Sequence, residues 1–147
     1  MKMNDKERHL IVALRRNSRA NIKEIAQTLN CPVSTLYDTL HKLEKKNIVE
    51  YTAKIDYGKI GYPIQAIIIL KTTQEFTDKL YSYLKLRKEL NTIYRINNRT
   101  SYCVEAICKT QQELNELLEE IEENNTLTQI NVYAIIETLQ KEKHLTE

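Results

Sequence analysis

The chain has 147 residues, 41% of them hydrophobic and 29% charged, with two glycines, two prolines and no tryptophan. That balance fits one or two compact domains and argues against disorder or low complexity. The longest apolar run, Ala66 to Leu70, falls far short of the roughly 20 residues a membrane-spanning helix needs. The charged start, Met1 to Arg8, leads into no signal-like apolar core, so the expected location is the cytoplasm. Three cysteines, Cys31, Cys103 and Cys108, and three histidines form no CxxC or Cys/His ligand cluster, which excludes disulfide scaffolds and zinc fingers and leaves no metal or cofactor to expect.

The net charge of +2 conceals an asymmetry. Residues 1–62 hold 12 Lys/Arg against 7 Asp/Glu, a net of +5, while residues 63–147 hold 10 against 13, a net of −3. A basic front and an acidic back suit a chain whose first part meets a polyanion and whose second meets protein.

In the front part, Asn4 with Glu7 reads as a capping pair for a helix whose apolar face is Leu10, Ala13 and Leu14, to about Arg16. After a turn at 17–20, Asn21 with Glu24 caps a short helix with Ile22, Ile25, Ala26 and Leu29 at helical spacing, closed by Asn30. Asn30 to Val33 then leads into a third helix, with Pro32 near its first turn, Leu36, Leu40 and Leu43 inward, and a stop at Asn47. Two short helices joined by a tight turn, the second presenting hydroxyls and lysines outward, form a helix-turn-helix pattern. Ile48 to Ile55 alternates, Val49, Tyr51, Ala53 and Ile55 against Glu50, Thr52 and Lys54, and predicts a strand or short hairpin beside the bundle: a wing.

Gly58 and Gly61 mark a turn-rich link, and from Pro63 the pattern becomes strand, helix, strand, strand, helix, strand. Strands are predicted over 64–70, 91–97, 102–108 and 130–136. Helices are opened by Thr72 with Glu75, along Phe76, Leu80, Tyr83 and Leu84, and by Thr110 with Glu113 as a capping box, along Leu114, Leu117, Leu118 and Ile121. The fold class is therefore α+β: an N-terminal winged helix-turn-helix, then a ferredoxin-like βαββαβ domain. The expected boundaries are 1–56 for the first, 57–62 for the linker and 63–147 for the second. Ile67 to Leu70 and Tyr133 to Ile136 are apolar in succession, so both sheet faces want burial. A homodimer built sheet to sheet is expected; the alternative cover is the front domain or the tail 139–147.

Four stretches carry a family resemblance: Asn17-Ser18-Arg19; "IKEIAQTL" from Ile22 to Leu29; "STLYDTLHKLEKKNIV" from Ser34 to Val49; and "YTAKIDYGKIG" from Tyr51 to Gly61. In order and spacing the chain resembles the leucine-responsive regulatory protein and asparagine-operon regulator family, Lrp/AsnC, over nearly its whole length. The resemblance implies a transcription regulator that binds double-stranded DNA and dimerises, sometimes into tetramers or octamers, through its ferredoxin-like domain. In many members that domain senses an amino acid. Departures are specific. The family's Ser-Pro entering the recognition helix is Pro32-Val33 here, with Ser34 as substitute cap; its arginine within that helix is Thr39 and its later glycine Asn47. The glycine and aspartate of the effector turn correspond to Asn98 and Ser101, so the candidate effector residues are Asn98, Arg99, Thr100 and Ser101, without the usual carboxylate.

Ser34, Thr35, Tyr37, Asp38 and His41 are the candidates for base-edge or nearby phosphate contacts, and Lys23, Lys42, Lys45, Lys54 and Arg19 for phosphates. The glutamates from Glu113 to Glu123 read as a solubilising helix face, and Cys103 and Cys108, five apart on a strand, as core residues on opposite faces. No catalytic residue is expected. The rival readings are an enzyme on the same scaffold, since some proteins resembling this family act on tetrapyrroles, and a DNA-coating architectural protein. The enzyme reading wants convergent groups in the back domain, which offers Arg87, Arg95 and Arg99 but only His144.

Overall fold

The computed structural model describes residues 3–147, which divide into two compact units. One runs to Lys54 and also takes in Gln140–Glu147; the other is Ile55–Leu139. The last eight residues, expected in the second domain, therefore belong with the first.

The first unit holds α1 (Asp5–Arg16), α2 (Ile22–Thr28) and α3 (Val33–Lys45). Asn4 and Glu7 form the reciprocal cap of α1, each side chain accepting from the other's backbone N–H at 2.9 Å. Asn21 caps α2 by accepting from the Lys23 N–H at 2.9 Å, so Glu24 is not needed. Leu10 and Leu14, Ile22, Ile25 and Ala26, and Leu36, Leu40 and Leu43 close one core between the three helices. Each full burial of such a side chain stabilises by about 1.5–3 kcal/mol. Asn30 (φ 47°) and Asn47 (φ 52°) take the left-handed conformation that lets the chain leave α2 and α3 abruptly.

The wing strand does not form. Val49 packs on the helical core, but from Glu50 to Asp56 the chain is exposed and lacks strand structure, with Tyr51 54% and Ile55 43% exposed. Alternation suits a segment to a ladder without supplying the neighbouring strand. The Ile48 and Val49 N–H groups bond back to the Leu43 carbonyl at the end of α3, and beyond them nothing up to residue 55 turns the chain back on itself to form a ladder.

The second unit is a four-stranded antiparallel sheet in the order β2-β3-β1-β4, from β1 (Ile64–Lys71), β2 (Leu90–Arg95), β3 (Ser101–Cys108) and β4 (Gln129–Ala134), with α4 (Thr77–Leu84) and α5 (Gln111–Asn124). This is the ferredoxin-like arrangement expected. One sheet face, with Ala66, Ile68, Leu70, Tyr102, Val104, Ala106 and Cys108, is buried with Leu80 and Leu84 of α4 and Leu114, Leu117 and Ile121 of α5. Register puts Ile67 opposite Glu105 and Tyr133, and Ile69 opposite Cys103 and Asn131, on the other face. There Ile67, Ile69 and Cys103 are half-buried, while Tyr94 and Tyr133 are exposed.

Two helix starts differ from expectation. Thr72 does not cap α4: it is buried and its hydroxyl donates to the Thr126 carbonyl, so the helix begins only at Thr77. Thr77 in turn donates to the Arg99 carbonyl, and the buried Tyr102 hydroxyl donates to the Thr77 carbonyl at 3.0 Å while accepting from Arg95 at 2.9 Å. Thr110 caps α5 as expected by accepting from the Glu113 N–H, but the Glu113 carboxylate answers to the Lys109 N–H at 2.7 Å, one residue earlier than a reciprocal box.

Candidate nucleic-acid interface

Helix α3 turns about 100° per residue, so residues spaced by three and four share a face. Ser34, Asp38, His41 and Lys45 follow one another at that spacing, exposed, diametrically across the helix from the buried Leu36, Leu40 and Leu43. Lys42 and the half-buried Thr35 flank the stripe on one side and Tyr37, 43% exposed, on the other. The hydrophobic demand of one side of α3 thus fixes which residues the other side offers.

Pro32 occupies the N-cap of α3 and no side chain bonds the first turn, so Ser34 does not act as the substitute cap. The first-turn N–H groups keep their capacity for an anion, reinforced by the positive end of the helix. Thr39, where the family has arginine, spends its hydroxyl on the Thr35 carbonyl at 2.8 Å and is not available for readout.

The cations differ in how they are held. Lys23, at the start of α2, and Lys42 and Lys45, in the last turn of α3, are exposed and have no side-chain partner among the described residues. Arg19 lies exposed in the turn before α2, where the Asn17 side chain accepts its backbone N–H at 3.0 Å; its guanidinium has no partner among the described residues. Lys54 is engaged: its ammonium donates to the Lys141 carbonyl at 3.1 Å. Arg15 and Arg16, which drew no attention as sequence, are bonded to the same returning segment, Arg15 to the Glu142 carboxylate at 3.0 Å and to the carbonyls of Glu142 and His144, Arg16 to the carbonyl of Thr146.

Glu44, another residue that sequence reading passed over, accepts from His41 Nδ1 at 3.3 Å. Burial and the hydrogen bond and charge of Glu44 push the Tyr51 hydroxyl above its ordinary value. The visible signal was the three-residue spacing from His41 to Glu44.

In the second unit, the turn 96–101 is self-satisfied. Asn97 has φ 55°, and Asn98 Oδ1 accepts from both the N–H and the hydroxyl of Thr100, at 3.0 and 2.9 Å. Ser101 is buried as the first residue of β3. Of the four candidate effector residues, only Arg99 carries an exposed side chain without a partner. No group of His, Cys, Asp or Glu among the described residues is arranged to hold a metal ion, and no helix is long and apolar enough to cross a membrane.

A three-helix unit that exposes one polar stripe flanked by lysine, followed by a ferredoxin-like domain, defines the class: a helix-turn-helix protein with an attached α+β domain. The comparisons agree. Residues 2–49 match the model of a homeodomain-like domain. An uncharacterised HTH-type transcriptional regulator of Pyrococcus furiosus is 24% identical over 146 residues, 99% of each chain, and the HTH-type transcriptional regulator LrpB of Bacillus subtilis is 22% identical over 113 residues, 76% of each. The solved structure of Escherichia coli AsnC superposes with a TM-score of 0.85 at 15% identity, covering 96% of this chain and 97% of that one. The chain is thus similar over almost its whole length to HTH-type transcriptional regulators and shares the fold of AsnC.

Proposed function

We infer that this protein is a DNA-binding transcriptional regulator that works as a homodimer and lays α3 in the major groove. The observation that carries the reading is the exposed stripe Ser34, Asp38, His41 and Lys45 set opposite the buried leucines of α3. Its uncapped first turn and the unpartnered Lys23, Lys42 and Lys45 supply the phosphate side of such a contact. Ser34, Thr35, Tyr37, Asp38 and His41 read base edges or adjoining phosphates; Arg19 joins the lysines on phosphates, and Lys54 does so when it leaves the Lys141 carbonyl. The names of the relatives, HTH-type transcriptional regulators, support regulation over catalysis.

The dimer is supported by the uncovered sheet face, where Ile67, Ile69 and Cys103 are flanked by exposed Tyr94 and Tyr133. A second sheet removes that apolar surface from water. Two-fold symmetry then calls for a pseudo-palindromic site with half-sites about one helical turn, or a multiple, apart. A small-molecule effector at the turn 98–101 would meet Arg99, because Asn98 Oδ1 and Thr100 are engaged with each other and Ser101 is buried. The arginine favours an anionic group.

The test is selection of fragmented genomic DNA by the purified chain, with and without each amino acid. Discrete, palindrome-related sites are expected. Continuous protection with no preferred start overturns the regulator in favour of an architectural coat. A sequence preference that survives the combined Thr35→Ala and His41→Ala variant overturns the assignment to α3.

A further inference from the structure

Four features converge on one residue of α3 that is neither an apolar anchor nor part of the outer stripe. Glu44 lies one turn beyond His41, with its side chain 35% exposed against 73% for His41. Its carboxylate meets His41 Nδ1 at 3.3 Å. His41 Nε2 has no partner among the described residues. Tyr51, from the segment that follows α3, also approaches Glu44. A carboxylate only accepts, so in the neutral imidazole the bond to Nδ1 requires the proton there, and Nε2 becomes an acceptor.

We propose that Glu44 is a positioning residue that holds His41 as its Nδ1–H tautomer, so that Nε2 selects an exocyclic amine, adenine N6 or cytosine N4, in the major groove. The inference rests on α3 being the reading helix. The chemistry of the bases does the selecting: adenine and cytosine present amino donors in that groove, whereas guanine presents only acceptors at N7 and O6 and thymine one at O4. A neutral histidine with its proton on Nε2 donates instead, to guanine N7 or O6, thymine O4 or adenine N7, and so loses that preference. Which base His41 favours on the strand it contacts is therefore set by a side chain that need not touch DNA. Asp38, on the same stripe, is a second acceptor and adds to the preference for amino groups, while Lys42 and Lys45 donate and favour guanine or phosphate.

Two measurements on the full chain test this. Long-range proton–nitrogen correlation at about pH 8 reports which ring nitrogen of His41 is protonated without any DNA present. The wild type and Glu44→Gln, whose amide oxygen still accepts, are expected to show Nδ1–H, and Glu44→Ala to revert to Nε2–H. Selection from randomised duplexes is then expected to give adenine or cytosine at one position of each half-site, with a preference of about tenfold that Glu44→Ala abolishes and Glu44→Gln retains. An Nε2–H wild type, or a tautomer unchanged in Glu44→Ala, overturns the positioning role. A tautomer that switches while base preference stays fixed overturns the specificity role. Failure of every variant to bind DNA at low salt sinks the DNA-reading inference instead, and the tautomer measurement stands apart from it.

Discussion

Replacing Lys23, Lys42 and Lys45 together by alanine tests the interface most directly. All three are exposed and unpartnered among the described residues, so their loss breaks no hydrogen bond or ion pair. The only structural cost is a favourable interaction of Lys42 and Lys45 with the C-terminal end of α3, about 0.3–1 kcal/mol each. If each lysine neutralises one phosphate, the slope of log K against log salt becomes shallower by ~2.7 for one helix-turn-helix and by ~5.4 for a dimer bound through both. Between 50 and 200 mM salt the wild type should then lose ~40-fold more affinity per helix-turn-helix than the variant does. Fluorescence anisotropy of a labelled duplex across that range reads the slope, and urea denaturation confirms that the fold survives. Removing the exposed Lys79 and Lys88 of the second unit controls for net charge alone. A slope unchanged in the triple variant, or an equal change per lysine in the control, refutes the placement of these cations on phosphate.

The sheet-to-sheet dimer predicts that Ile67→Asp, on the uncovered face, yields a monomer in sedimentation at micromolar concentration; an unchanged sedimentation coefficient refutes it. Leu117→Ala empties a fully buried position between α5 and the sheet and is expected to cost about 2–5 kcal/mol, read as a lowered urea midpoint. Burial, then the carboxylates of Glu113 and Glu89, push the Cys108 thiol up to about 11 from the ordinary 9.0. The folded chain thus keeps a proton that the unfolded chain has released, so stability falls as the pH climbs from about 9 towards about 11. The urea midpoint of the wild type should drop further between about pH 8 and about pH 10.5 than that of Cys108→Ala, and equal drops refute the assignment.

Much of the fold was legible because most elements declare themselves locally. The leucines of α3 and the Leu114, Leu117 and Ile121 series of α5 repeat at helical spacing, and each is buried where its period puts it. What escaped depended on partners distant in sequence. Thr72 with Glu75 has the form of a capping box, but the hydroxyl is spent across the fold on Thr126. The apolar run at the end of β4 suggested a strand to Ile136, yet the strand ends at Ala134 opposite Ala66, with one last bond from the Ile135 N–H to the Gln65 carbonyl, and Ile136 stands 98% exposed. The wing alternates correctly but has no strand to pair with among the described residues. At the candidate interface the exposed stripe followed from the period alone. The roles of Ser34, Thr39 and Glu44 did not, because each turns on whether a hydroxyl or carboxylate bonds its own helix, which composition does not reveal.

Four of the five hydrogen bonds that Arg15, Arg16 and Lys54 make to the returning segment end on main-chain carbonyls, and only one on a side chain, Glu142. Such bonds are blind to the identity of the residues that supply them. Lys141, His144 and Thr146 can drift to almost any other side chain with the attachment intact, whereas inserting or deleting a single residue there would shift every carbonyl out of reach. Glu142 and Leu145 are the exceptions, since both hold left-handed backbone, at φ 58° and 57°, where a β-branched or proline replacement would not fit. In this segment it is the count of residues, far more than their letters, that selection has reason to preserve.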